Sequence, residues 1–292
     1  MGAPASPSGS HPSDHANLRC LGASRFDPSR KLRVIDMFAG IGGFSLGLHR
    51  AGGFETRAVV EINPYASKVL EQRIGAPNLG DVTKTEFVDA DVICAGFPCQ
   101  DISLAGKGAG LAGARSGLWR EVVRAIRVVR PLYVLLENVA ALLDRGMGRV
   151  LGDLAALRYD AEWDCIPASY IGAWHRRDRI WVVANAHGLS GQQGQSPRAL
   201  FRQRDVHEQS TRSFARWPGR SYLPKSRLCG GADGVRARLH ALGNSVVPFI
   251  PEIIGRSIRA AIADTHPKDG DSTQIEAPLV SGGGAQAIAQ KS

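Results

Sequence analysis

The sequence has little sulfur and no long apolar stretch. Five cysteines (Cys20, Cys94, Cys99, Cys165 and Cys229) are scattered through 292 residues, an odd number with no Cys-x-x-Cys pair. This argues against a disulfide framework and a cysteine-built zinc site, and for a reducing compartment. No apolar run approaches the roughly 20 residues that span a bilayer. The opening residues, MGAPASPSGSHPSDH, lack the charged-then-apolar layout of a secretory leader. The expected setting is cytoplasmic, with no membrane partner. There is no internal repeat. Acidic residues are outnumbered, 27 Asp and Glu against 36 Lys and Arg, and the resulting formal charge of +9 suits a polyanionic partner without identifying one.

What is present describes a globular protein, 43% hydrophobic and 22% charged. Residues 1–30 and 264–292 are rich in small and polar residues without periodicity, and both are expected to be disordered. Between them, Leu32–Met37 is an apolar run followed by Phe38-Ala-Gly-Ile-Gly-Gly43 and a helical pattern, FSLGLHRAG. Strand, glycine turn and helix open a nucleotide-binding α/β fold, and glycines let backbone approach a ligand closely. The spacing F-x-G-x-G-G is not the dinucleotide pattern G-x-G-x-x-G, which argues against a hydride-transferring enzyme. Arg57–Ile62 is expected to be a second strand ending at Glu61, about twenty residues past the glycines, where a carboxylate can accept from ribose hydroxyls. Pro64–Arg73 is expected to be helical, with proline in its first turn. Asp81 follows Gly80 on a further loop.

Cys99 follows Pro98 at the end of the apolar run Asp91–Ala95. Proline cannot donate to a sheet ladder and pushes Phe97 out of the helical region, so the strand must end there and present the thiol on a loop. A lone cysteine is more often buried and inert than reactive, and the residues alone leave both readings open. A glycine loop, Gly106–Leu111, precedes an expected helix, Arg115–Arg130. The fully apolar Leu132–Leu136 is expected to be a strand that ends in Glu137-Asn138-Val139. A carboxyl at such a strand mouth is liable to desolvation and can hold a proton near neutrality. Gly146–Leu157 is expected to be helical, and Trp163–Ile171 with Ile180–Ala184 to form a hairpin around Arg176-Arg177-Asp178-Arg179. From 187 to 240 ten Lys and Arg stand against three Asp and Glu, interspersed with Phe201, Phe214, Trp217 and Tyr222. Such a mixture suits backbone contact and base stacking on nucleic acid, although a charge bias is usually just solvated surface. Phe249–Ala263 is expected to be a closing helix.

DMFAGIGGFSLGL (36–48), Glu61, Gly80-Asp81-Val82, GFPCQDIS (96–103), GKGAGLAGARSGL (106–118), ENV (137–139), RRDR (176–179) and ALGNSVVP (241–248) follow one another along the chain. In content and order they resemble the cytosine-C5 DNA methyltransferases, in particular compact, phage-associated members. The resemblance implies a Rossmann-like S-adenosylmethionine-dependent methyltransferase fold, a mostly parallel sheet with helices on both faces, plus a small irregular target-recognition lobe. Residues 31–186 would be the catalytic domain, 187–234 a short basic recognition region, and 235–263 the return to the catalytic domain. It implies transfer of a methyl group from S-adenosylmethionine to carbon 5 of a flipped-out cytosine in double-stranded DNA. Alternatives are a tRNA-directed relative and an inactive DNA-binding homologue. The partners implied are duplex DNA and a cognate restriction endonuclease, with a monomer as the family default and a nucleoid-associated location.

By the same resemblance Cys99 is the nucleophile and Glu137 the acid that protonates cytosine N3. Arg179 would hold the cytosine oxygen, and Arg177 the phosphate or the thiolate side. Phe38 would pack on adenine, Glu61 bind the ribose and Asp81 face the adenine amine. Gly40 and Gly42 would give backbone room, Pro98 is counted among the cofactor contacts, and Asn244 and Ser245 would close the methionine side. Two positions depart from the family: His175 stands where glutamine is usual and Trp174 where proline is common. The block between Ala186 and Gly234 is also short.

Overall fold

A computed structural model of the chain describes residues 29–98, 117–173, 176–187 and 240–265. The expectations for Cys99, the glycine loop after it up to residue 116, Trp174, His175, residues 188–239 and most of the two termini lie outside the described residues.

Six strands form one sheet in the order β2-β1-β3-β4-β6-β5. They are β1 (Leu32–Met37), β2 (Phe54–Val60), β3 (Val92–Ala95), β4 (Tyr133–Val139), β5 (Tyr159–Cys165) and β6 (Arg179–Ala186). The first four pair in parallel, and β6 runs antiparallel to both β4 and β5. Parallel strands need crossovers, and the helices that make them cover both faces of the sheet. The helices are α1 (Gly43–Ala51), α2 (Pro64–Arg73), α3 (Gly117–Val129), α4 (Leu142–Arg145), α5 (Met147–Ala156) and α6 (Phe249–Thr265).

Strand alternation sorts the core into two layers. Ile35, Met37, Ile93, Ala95, Val134 and Leu136 point to the face covered by α3 and α5, through Trp119, Val122, Ile126, Val150 and Leu154. Leu32, Val34, Val92, Cys94, Leu135, Trp181 and Val183 point to the other face, against Phe44 and Leu48 of α1 and Ile250, Ile254 and Ile258 of α6. The α1–α6 crossing depends on small residues. A Cβ on Gly47 would lie 2.3 Å from the Pro248 carbonyl oxygen, and one on Gly255 would lie 2.8 Å from Ala51 Cβ. Backbone cannot swing aside as a long side chain can. Gly47→Ala is therefore expected to cost about 1–3 kcal/mol through overpacking, read as a lower urea midpoint. An unchanged midpoint would mean that the two helices can slide apart at no cost.

Several element boundaries differ from expectation. β2 begins at Phe54 and ends before Glu61, because Gly52-Gly53 reverses the chain earlier and Phe54 has a core site. β4 extends through Glu137 and Asn138, which stay in register with Trp181 and Ile180. Polar residues survive there because β6 supplies the missing ladder partners. The first arm of the hairpin starts and ends earlier than expected, the second is longer, and Ala168–Ile171 is a 3-10 turn rather than strand. Arg30, within the stretch expected to be disordered, instead makes a paired ionic contact with the buried Asp91, at 2.6 and 2.8 Å. Asp91 also accepts from the Arg33 backbone and guanidinium, and these charges hold its carboxyl well below the usual range. Likewise α6 runs to Thr265, past the expected end of order.

Candidate active site

The carboxyl end of the sheet collects the residues singled out in the sequence. Glu137 and Arg179 sit diagonally on adjacent antiparallel strands, since Glu137 opposes Trp181 and Val139 opposes Arg179. Alternation puts both side chains on the α1–α6 face, and Arg179 Nε meets Glu137 Oε1 at 3.0 Å. Glu137 is 8% exposed. Burial pushes its carboxyl above the usual range, while the charges of Arg179 and Arg177 oppose the shift. Gly96, the first residue past β3, has no side chain to fill the space beside it. A Cβ there would stand 3.7 Å from Glu137 Oε2, 3.6 Å from Val246 Cγ2 and 4.0 Å from the Phe44 ring. The neighbouring Asn138 points the other way and donates to the Phe97 carbonyl at 3.0 Å. Phe97 itself is anchored against Trp119. Thus the segment that leads into Cys99 is pinned to the strand that carries Glu137.

Arg177 reaches across to the return segment. Its two terminal nitrogens donate to the Gly243 carbonyl at 2.6 Å and the Ser245 carbonyl at 2.8 Å. It adopts φ +35°, a left-handed conformation that costs a non-glycine residue on the order of 1 kcal/mol. Burial, then the Arg179 charge, lower its proton affinity. Asn244 and Ser245 thus lie on a segment held to the arginine hairpin. The Asn244 amide contacts His240, and the Ser245 hydroxyl donates to the Leu242 carbonyl. Pro98 is exposed at the mouth.

On the other side of Gly96 lies the glycine turn. Gly40 and Gly42 adopt φ +54° and +85°, and Phe38 adopts φ +54° as the chain leaves β1. Phe38 is partly buried against the α3–α5 layer. A Cβ on Gly40 would meet nothing within 4 Å, so the space above the turn is open. Glu61 closes the turn from β2: Oε2 accepts from the Gly40 N–H at 2.8 Å and Oε1 from the Asn63 N–H at 2.7 Å. Asn63 in turn caps α2, which carries proline in its first turn as expected. Asp81 is half-buried and caps a single 3-10 turn, accepting from the Thr83 backbone and hydroxyl, which lowers its pKa. Ile62, 72% exposed beside Glu61, adds an apolar surface at the same mouth.

Two contributors lie within the quoted motifs without being singled out as site residues. One is Val246, whose carbonyl oxygen would lie 2.3 Å from a Cβ on Gly43, so the return segment rests on the first residue of the glycine helix. The other is Asp36. It is fully buried, with Oδ2 accepting from the Ser45 backbone N–H and hydroxyl at 3.1 and 2.7 Å, while Oδ1 has no partner among the described residues. Burial pushes its carboxyl from 3.8 to about 7. In the window between those values the folded chain holds a proton that the unfolded chain has released, so stability falls as pH rises through it and then levels off. From about pH 5.5 to about pH 8 this group should remove about 2 kcal/mol. Asp36→Asn is expected to flatten that slope in urea melts, and an equal slope in the variant would assign the proton elsewhere.

An open, mostly parallel sheet with a glycine turn after β1 and carboxylates at the following strand ends defines the Rossmann-like methyltransferase class. The chain belongs to the C-5 cytosine-specific DNA methylase family, whose model matches residues 32–217. It is 36% identical over 160 residues to the type II methyltransferase M1.ScrFI of Lactococcus lactis subsp. cremoris, covering 52% of this chain and 41% of that one. It is 33% identical over 174 residues to M.HhaI of Haemophilus parahaemolyticus, covering 57% and 53% respectively. The chain therefore spans about half the length of the curated relatives it matches. Its fold is also similar to that of the S. pombe Dnmt2 methyltransferase, with a TM-score of 0.55 over 81% of this chain and 100% of that one, at 15% identity.

Proposed function

We propose that this chain is a DNA (cytosine-5)-methyltransferase that uses S-adenosylmethionine. The observation that carries the reading is the buried Glu137 carboxyl, paired with Arg179 and facing the bare Gly96 three residues before Cys99. Carbon 5 of cytosine is a poor nucleophile, and the ring must first be activated by addition at carbon 6. The Cys99 thiolate supplies that addition, since a thiolate is intrinsically nucleophilic. As the Cys99 Sγ–C6 bond forms, the ring's electrons would otherwise leave negative charge at N3, and Glu137 donates a proton there. Carbon 5, now enamine-like, takes up the methyl group. Loss of the carbon-5 proton to a base expels the Cys99 thiolate, N3 returns its proton to Glu137, and aromaticity is restored.

The glycine turn fits the cofactor, because open space stands above Gly40, whose N–H the Glu61 carboxylate holds. Bound there, S-adenosylmethionine would supply the methyl group as a sulfonium electrophile. Phe38, Gly40, Gly42, Glu61 and Asp81 would hold its adenosine, and Pro98, Asn244 and Ser245 its methionine side. Arg179 would bind the cytosine oxygen while remaining within reach of Glu137. A stacked cytosine hides carbon 6, so the base must leave the duplex at a cost of a few kcal/mol. We assign sequence recognition to the basic stretch 187–234.

The test is to incubate the chain with labelled S-adenosylmethionine and either unmethylated duplex DNA or tRNA. Label in DNA as 5-methylcytosine is expected. Label only in tRNA would move the substrate, and no label despite confirmed cofactor binding would defeat the reading.

A further inference from the structure

The cofactor side and the base side of the site share one structural member, residues 243–246. On one flank the Val246 carbonyl rests on Gly43, at the start of the glycine helix, where even a methyl group would clash at 2.3 Å. On the other flank Arg177 grips the Gly243 and Ser245 carbonyls with both terminal nitrogens. Two residues later along the same strand entry, Arg179 ion-pairs with Glu137. The Val246 side chain then stands beside Gly96, together with Glu137 Oε2. Arg177 carries a left-handed backbone, and its Nε is buried without a partner among the described residues. A strained residue with an unsatisfied donor persists only where its surroundings hold it in place.

We propose that Arg177 is a positioning residue whose grip on Gly243 and Ser245 couples occupancy of the glycine turn to the arrangement of the Glu137–Arg179 pair. Rather than touching base or phosphate, it makes cofactor binding and cytosine binding favour one another. A ligand seated on the glycine turn bears on the end of α1. Gly43 cannot shift without shifting residues 245–246, because their contact has no slack. Arg177 passes that displacement to the hairpin that carries Arg179. Conversely, a base engaged by Glu137 and Arg179 fixes the hairpin and so the backing of the glycine turn. Linkage requires the effect to be equal in both directions. A lysine at 177 would keep the charge but lose the planar two-pronged grip.

The inference rests on the proposed function and is tested by binding rather than by turnover. The affinity for S-adenosylhomocysteine is measured calorimetrically, with and without saturating sheared unmethylated genomic DNA, which contains every short target sequence. Wild type is expected to bind S-adenosylhomocysteine more tightly when DNA is present. In Arg177→Met that tightening, taken as the ratio of the affinities with and without DNA, should fall about 5-fold or more. Arg177→Lys should restore only part of it, whereas a purely electrostatic role would be fully rescued by lysine. Matched melting curves guard against simple misfolding. Full tightening in either variant, or wild type that binds the two ligands independently, overturns the coupling and leaves the methyltransferase reading standing. Wild type that binds neither ligand overturns both.

Discussion

Cys99→Ser is expected to abolish methyl transfer, by about 10⁴-fold or more, while leaving S-adenosylmethionine affinity nearly unchanged. The reason is chemical. A serine hydroxyl at neutral pH has a negligible ionised fraction, whereas a few per cent of an ordinary cysteine is thiolate. The loss should fall on kcat, because the thiol is asked only to attack carbon 6. No covalent DNA adduct should survive denaturation in the variant, while wild type should trap one on a cytosine analogue that cannot release the carbon-5 substituent. Transfer by Cys99→Ser within about ten-fold of wild type would remove the covalent step from the mechanism.

Glu137→Gln should lower kcat by about 10²–10⁴-fold, the range for a positioned general acid. Glutamine is close in shape, and its amide oxygen can still accept from Arg179 Nε, so the strand ends should stay packed. What it cannot do is deliver a proton to N3. Burial raises the Glu137 pKa, so the acid form persists further toward neutrality than it would for an exposed glutamate. Wild-type kcat should therefore fall as pH rises through that elevated value, and this alkaline limb should vanish in Glu137→Gln. A variant that keeps both the rate and the limb would give the proton to another group.

Much of this site is legible in the chain itself. Leu32–Met37 and Pro64–Arg73 carry their boundaries in neighbouring residues: an apolar run stopped by glycines, and a proline after a capping Asn63. The pattern also puts Glu61 at the mouth of the second strand, although that strand starts earlier than the pattern implies and stops at Val60. What the pattern does not carry is pairing between distant segments. Asp36 reads as an ordinary residue of the DMFAG run, yet full burial gives it a proton near neutrality, against the Ser45 hydrogen bonds that favour its charged form. The family resemblance gives Arg177 to the phosphate or the thiolate side. In the structure both its terminal nitrogens donate to backbone carbonyls more than sixty residues further on, a contact no local pattern carries.

Residue types and their order are enough to indicate the class of chemistry, because a thiol after proline, a glycine turn and strand-end acids are each local signals. They cannot place Glu137 against Arg179 or set Val246 on Gly43. Those contacts follow from which strand pairs with which, in what register, and from where the last helix returns. Such choices are made by the burial of the two core layers as a whole, and no short stretch of chain contains that information.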